Sequence, residues 1–168
     1  MPDLYPCEHV GLELIDTARF RSTNSADLAI TPEQLWQVLE EAESWPRWSP
    51  LTKMTWTSPA PFGVGSTRAI EMRAGAVAVE EVIAWKPHSH MAFRMNKSSL
   101  PTERASVEEH RIEPTARGCR LTWTLAHDPE KPPLLARIIA KPVMTSKYRE
   151  YLGMLRNYTE QRFGLTIH

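Results

Sequence analysis

Three ionisable residues stand in strand phases that are otherwise apolar: Arg68, Glu108 and His110. Arg68 shares its phase with Ile70 and Met72, and Glu108 and His110 share theirs with Ile112. Residues two apart on a strand face one side, so these phases turn a guanidinium, a carboxyl and an imidazole toward whatever the apolar residues line. An arginine there holds a carboxylate, phenolate or enolate by charge-assisted hydrogen bonds. A histidine moves a proton near neutral pH, with Glu108 orienting or tuning it. The alternative is structural: Arg68 and Glu108 form an ordinary cross-strand ion pair, and His110 lies at a solvated rim. The rival phase of the second strand carries Val107, Glu109 and Arg111, and a one-residue register shift exchanges the two sets.

Other chemistry-bearing residues fit blander roles. His88 and His90 have the spacing of metal ligands on a strand, but they follow Pro87 in a turn context with no third ligand in view, so no metal site is expected. His127-Asp128-Pro129 falls where a strand ends, and Asp128 serves the turn. The sequence shows no nucleophile elbow, no Gly-rich phosphate loop and no HExxH; Gly63-Val64-Gly65 precedes a strand rather than a helix. Cys7 and Cys119 show no CxxC spacing and read as free thiols, a redox pair being the lesser alternative.

The elements that must position these residues follow from period and punctuation. Residues 1–15 carry little pattern and read as an irregular extension, and Ala18–Ile30 reads as a strand. Thr31, Pro32 and Gln34 are the N-cap, first-turn proline and capping-box partner of a helix that stops near Ser44, ahead of Pro46. Trp45–Pro50 is a rigid aromatic corner with one short helical turn. Six strands follow, at Lys53–Ser58, Thr67–Arg73, Val77–Lys86, Met91–Lys97, Glu103–Glu113 and Cys119–His127, and their short connections imply antiparallel pairing. Leu134–Ala140 reads as a short helix broken or kinked at Pro142, and a second helix runs from Val143 to about Phe163. A sheet with helices on one side is an α+β architecture, and the space beneath a long helix crossing a curved sheet is a usual ligand site. Strand phase assigns its wall: Ile70 and Met72; Trp85, linked to Val79 unless a bulge intervenes; Met91, Phe93 and Met95; Ile112; Leu121 and Trp123. The last helix adds Met144, Tyr148, Tyr151, Leu152 and Leu155.

Composition sets the outer limits. The chain has 168 residues, 42% hydrophobic and 24% charged, with 20 basic residues balancing 20 acidic ones. That suits a single domain spanning 1–168, which buries roughly 70% of the unfolded chain's surface. Zero net charge and the lack of a dense Lys/Arg block argue against nucleic-acid binding. No apolar run reaches the roughly 18–20 residues of a membrane span. The acidic, Pro-interrupted start is unlike a signal peptide, so a cytoplasmic location is expected. No cofactor is expected, and the oligomeric state stays open, a homodimer included.

Ordered motifs then carry a resemblance: Ile30–Leu39, Trp45-Pro46-Arg47-Trp48-Ser49-Pro50, Gly63–Arg68, Val82–Pro87 and Gly118–Trp123, closed by the terminal helix. From about Arg19 to Phe163 the sequence resembles the START-like, helix-grip (SRPBCC) superfamily, and within it the polyketide cyclase/dehydrase-like group. The resemblance implies a curved antiparallel sheet of seven strands wrapped around a long C-terminal helix, with two short helices after the first strand. Its implied function is binding a small hydrophobic molecule, lipid, polyketide or isoprenoid-like, between sheet and helix. One alternative is a polyketide cyclase, aromatase or dehydratase using Arg68, Glu108 and His110. A second is a protein-interaction module without a filled cavity, marked by an exposed apolar patch. The polar content of the pocket discriminates between carrier and cyclase.

Overall fold

The computed structural model describes residues 2–132 and 134–165; Met1, Pro133 and the last three residues lie outside them. The chain opens with β1 (Tyr5–Pro6), which pairs with Ser98 and Lys97, and α1 (Leu14–Thr17), whose Leu14 packs on Ala105 and Val107. Apart from these short elements residues 2–13 are irregular; Cys7 joins the main core, and Leu14 packs on the other face of the sheet.

Strand β2 (Phe20–Leu28) alternates buried and exposed residues throughout. After it come α2 (Pro32–Glu40), a 3-10 turn at Ala42–Ser44, and α3 (Trp45–Trp48). The Thr31 hydroxyl accepts from the Gln34 backbone N–H while the Gln34 side chain accepts from the Thr31 N–H, so the capping box satisfies two donors at the helix start. Strands β3 (Leu51–Trp56), β4 (Thr67–Met72), β5 (Val77–Lys86), β6 (His90–Ser98), β7 (Glu103–Thr115) and β8 (Gly118–Pro129) complete one curled antiparallel sheet in the order β2-β8-β7-β6-β5-β4-β3. The β7–β8 hairpin extends two residues further than the alternation suggests, because Gly118 supplies a φ of 146° at its turn.

The last helix, α4 (Leu134–Arg162), is continuous. The expected break at Pro142 is absent. Ile138 and Pro142 both lie on an exposed side, so the carbonyl that proline leaves without its intrahelical partner faces water rather than the core. Leu152 and Leu155 seat the second half of α4 on the main core, and Arg162 clamps its end to Glu41 by two hydrogen bonds of 2.6 and 2.7 Å. The helix can approach β2 closely because inward positions there are small: Ser22 shares a 3.3 Å hydrogen bond with Thr145. Among the described residues, no helix is long and apolar enough to cross a membrane.

Candidate functional site

Two pairs of strands, β4 with β5 and β7 with β8, set the polar side chains of the site from either side of β6. On β4, alternation buries Arg68 and Ile70 and half-buries Met72. Cross-strand partners share a face, and Arg68 stands directly opposite Glu80 of β5. The inward phase of β5 is therefore Ala78, Glu80 and Val82 rather than that of Val79. A register shift between Val82 and Ala84 then returns Trp85 to the inner side, where it packs edge-on against Trp36. On β7 the inward phase is Ser106, Glu108, His110 and Ile112, and on β8 it is Leu121, Trp123, Leu125 and His127.

These side chains converge on a buried cluster. Arg68 is 1% exposed; its Nε donates to Glu80 Oε2 at 2.6 Å, and its Nη2 lies 3.6 Å from Glu108 Oε2. The guanidinium lies against Phe93, with Cζ 3.4 Å from the ring centroid, and 4.6 Å from that of Trp45. Trp123 Nε1 donates to Glu108 Oε1 at 2.5 Å. His110 is fully buried, stacked on Trp123 and edge-on to Trp45, with Nε2 3.7 Å from Glu108 Oε1. Among the described residues, neither ring nitrogen of His110 and neither terminal nitrogen of Arg68 has a hydrogen-bond partner.

This packing sets the protonation states. Burial, reinforced by the neighbouring Glu80 and offset in part by Arg68 and the Trp123 N–H, raises the Glu108 carboxyl to about 7. Burial, then the Arg68 and His90 charges, hold His110 well below the ordinary histidine range. At neutral pH the imidazole is uncharged, and Glu108 is the group that exchanges a proton. The Tyr148 hydroxyl is pushed well above its usual range by burial and then by Glu108 and Glu80, so it remains a neutral hydrogen-bonding group.

Above this cluster, between sheet and α4, lies a cavity of about 350 Å³. Its wall is mostly apolar and includes Ile70, Met72, Met95, Leu125 and Met144, with Trp45, Trp123 and Tyr148 as aromatic surfaces. Glu80 and Glu108 form one polar end; Glu103 and His127, 3.6 Å apart, add another polar pair. Leu100, 48% exposed, lines the opening.

Of the residues proposed for catalysis, Glu108 alone lines this cavity. Arg68 lies behind it against Phe93, and His110 lies within the aromatic packing rather than at a solvated rim. Of the residues proposed for ligand contact, Ile70, Met72, Met95, Trp123, Met144 and Tyr148 line it. Met91, Phe93, Ile112, Leu121, Leu152 and Leu155 are buried core beside it, and Trp85 and Tyr151 are partly buried against that core. These eight do not reach the cavity wall, because the sheet is longer than the cavity and side chains fill the rest. Glu80 and Glu103 escaped the sequence reading as site residues, and His127 and Trp45, read there as a strand end and part of an aromatic corner, also line the cavity. The cross-strand position opposite an inward Arg68 was the signal that would have found Glu80. His90 Nε2 donates to Glu109 Oε1 at 2.8 Å, away from the cavity. Cys7 and Cys119 are both buried and free, and burial pushes the Cys119 thiol up to about 11.

Residues 19–160 match the family described as polyketide cyclase/dehydrase and lipid transport. The uncharacterised protein Rv2574 of Mycobacterium tuberculosis is 47% identical over 162 residues, which cover 96% of this chain and 97% of that protein. Among solved structures, TTHA0849 from Thermus thermophilus superposes with a TM-score of 0.70 at 14% identity, covering 85% of this chain and 99% of its own. Protein MLL2253 from Mesorhizobium loti gives 0.66 at 20% identity, covering 84% and 98%. At these identities the structural likeness is one of fold, and that fold is the helix grip.

Proposed function

The chain belongs to the polyketide cyclase/dehydrase and lipid transport family, and from that premise we propose that it binds one compact hydrophobic molecule between sheet and α4, with an oxygen of the ligand meeting Glu108. Membership carries a ligand-binding or cyclase-like role; the cavity narrows the ligand. The observation that carries the reading is an apolar cavity with a single near-neutral carboxyl at its polar end. A volume of about 350 Å³ is at the lower end of the roughly 300–1,000 Å³ typical of ligand sites. That favours a mono- or bicyclic ketone, phenol or isoprenoid over a two-chain lipid. A protonated Glu108 donates to a ligand carbonyl or hydroxyl; the Trp123 N–H holds the carboxyl in place.

Calorimetric titration with a bicyclic ketone such as tetralone tests this reading. One-to-one binding to the wild type, lost in Met95→Trp, supports it, because an indole at that wall position fills the space. Equal binding by both proteins places the ligand elsewhere.

The raised carboxyl also supports an enzymatic reading. Glu108 in its ionised form accepts a proton from the carbon between two carbonyls, leaving an enolate in the cavity, and then returns the proton. Exchange of that C–H for deuterium in a cyclic 1,3-diketone, followed by NMR in heavy water, isolates this step. Glu108→Gln should slow protein-dependent exchange by about 10²-fold or more. No protein-dependent exchange in the wild type leaves the carrier reading alone.

A further inference from the structure

The first ten residues of α4 carry an apolar face that leaves the protein surface bare. Leu134, Leu135, Ile138, Ile139 and Val143 are between 47% and 76% exposed, whereas Leu152 and Leu155 on the same helix are at most 2% exposed. At about 3.6 residues per turn, those five side chains occupy one half of the helix circumference. Met144 and Tyr148, which line the cavity, fall on the other half. The exposed face is therefore turned away from the sheet, and repacking of the core does not cover it.

Charge says what does. The chain is neutral overall, yet residues 131–149 hold Lys131, Arg137, Lys141, Lys147 and Arg149 with no acidic residue. Lys147 is shared with Glu150 at 3.1 Å, while Lys141 is exposed at the edge of the aliphatic face, beside Leu134 on the helix circumference, and Lys131 stands just before the helix start. An aliphatic face flanked by cations is the pattern of a helix lying in a membrane interface, with aliphatic side chains among the acyl chains and cations among anionic headgroups. Protein–protein interfaces, by contrast, are depleted in lysine.

We propose that the N-terminal half of α4 docks this protein onto bilayers bearing anionic lipid headgroups. Docking stands on the exposed face alone. A consequence rests on the ligand-binding reading: Met144, one residue beyond the patch, and Leu100, exposed at the cavity opening, bring that opening near the bilayer, where hydrophobic compounds partition.

Flotation of the full-length protein with vesicles of phosphatidylcholine, with and without phosphatidylglycerol, tests the docking. The wild type should float with the anionic vesicles and release as salt rises. The double variant Leu134→Gln/Ile138→Gln changes only exposed positions in a good helix former, and unchanged circular dichroism will verify its fold. It should bind at least about tenfold more weakly. Lys131→Gln and Lys141→Gln should each weaken binding about fivefold. No flotation of the wild type overturns the proposal, as does equal flotation of the double variant. A wild-type dimer that the double variant converts to monomer, without vesicle binding, overturns it in favour of a second copy of the chain. Because none of these readouts involves a cavity ligand, an empty cavity and a failed docking remain distinguishable.

Discussion

Replacing Glu108 by Gln should make the protein more stable at pH 8 and leave its stability unchanged at pH 4. In the fold, burial and Glu80 raise this carboxyl from 4.5 to about 7. The folded state therefore binds a proton that the unfolded chain has already lost between pH 4.5 and 7. Stability contributed by this group is greatest below 4.5, falls as pH rises through that window, and is at its lowest above 7. A difference of about 2.5 units at about 1.4 kcal/mol each gives a cost of about 3 kcal/mol at pH 8. Gln removes the charge and keeps an oxygen to accept the Trp123 N–H. Urea denaturation across pH 4–8 reads the difference directly, and the midpoint for heat should rise by roughly 6–12 °C at pH 8. A Glu108→Gln protein that is less stable at pH 8, or whose advantage is the same at every pH, would refute the reasoning, since either result means the carboxyl is not held in its neutral form by burial.

His110 works with the opposite sign: its folded value is depressed, so its contribution is present above the unfolded value near 6.5 and is lost as pH falls below it. His110→Phe, which also removes two unpartnered ring nitrogens, should abolish that acid-side loss and change stability at pH 8 by less than about 1 kcal/mol, checked by the same denaturation series. Gly118→Ala should cost about 2 kcal/mol or more, because a Cβ there would sit 2.2 Å from the Leu28 carbonyl oxygen at a φ of 146°. Leu155→Ala should cost about 2–5 kcal/mol, read from the urea midpoint, because it empties a fully buried position where α4 meets the core.

Most of the fold is written in local pattern. The Thr31 capping box, the Trp45–Trp48 turn and the strand alternation all name elements that form where their residues stand. The phases of β4, β6, β7 and β8 turn inward the side chains that alternation selects, because one buried face leaves little freedom of register. The failures share a cause. Glu80 and Trp85 lie on opposite sides of a bulge, and a local pattern does not reveal where a strand inserts a residue. Pro142 is a helix breaker by local rule, yet α4 runs through it and is held beyond the proline by contacts remote in sequence, Thr145 with Ser22 and Arg162 with Glu41. The division of inward residues into cavity wall and filled core depends on how far α4 stands from the sheet at each point. That separation is set by side chains from five or more elements at once, so Leu121 and Trp123, neighbours in phase on one strand, end in different roles.

Native mass spectrometry of freshly purified protein, with organic extraction and identification of any bound compound, tests the central claim most directly. The account predicts one compact hydrophobic compound per chain, carrying a carbonyl or hydroxyl group, and its absence from Met95→Trp. A compound retained equally by Met95→Trp would contradict it. So would a wild type that carries nothing and gains no thermal stability from any bicyclic ketone, phenol or isoprenoid tested.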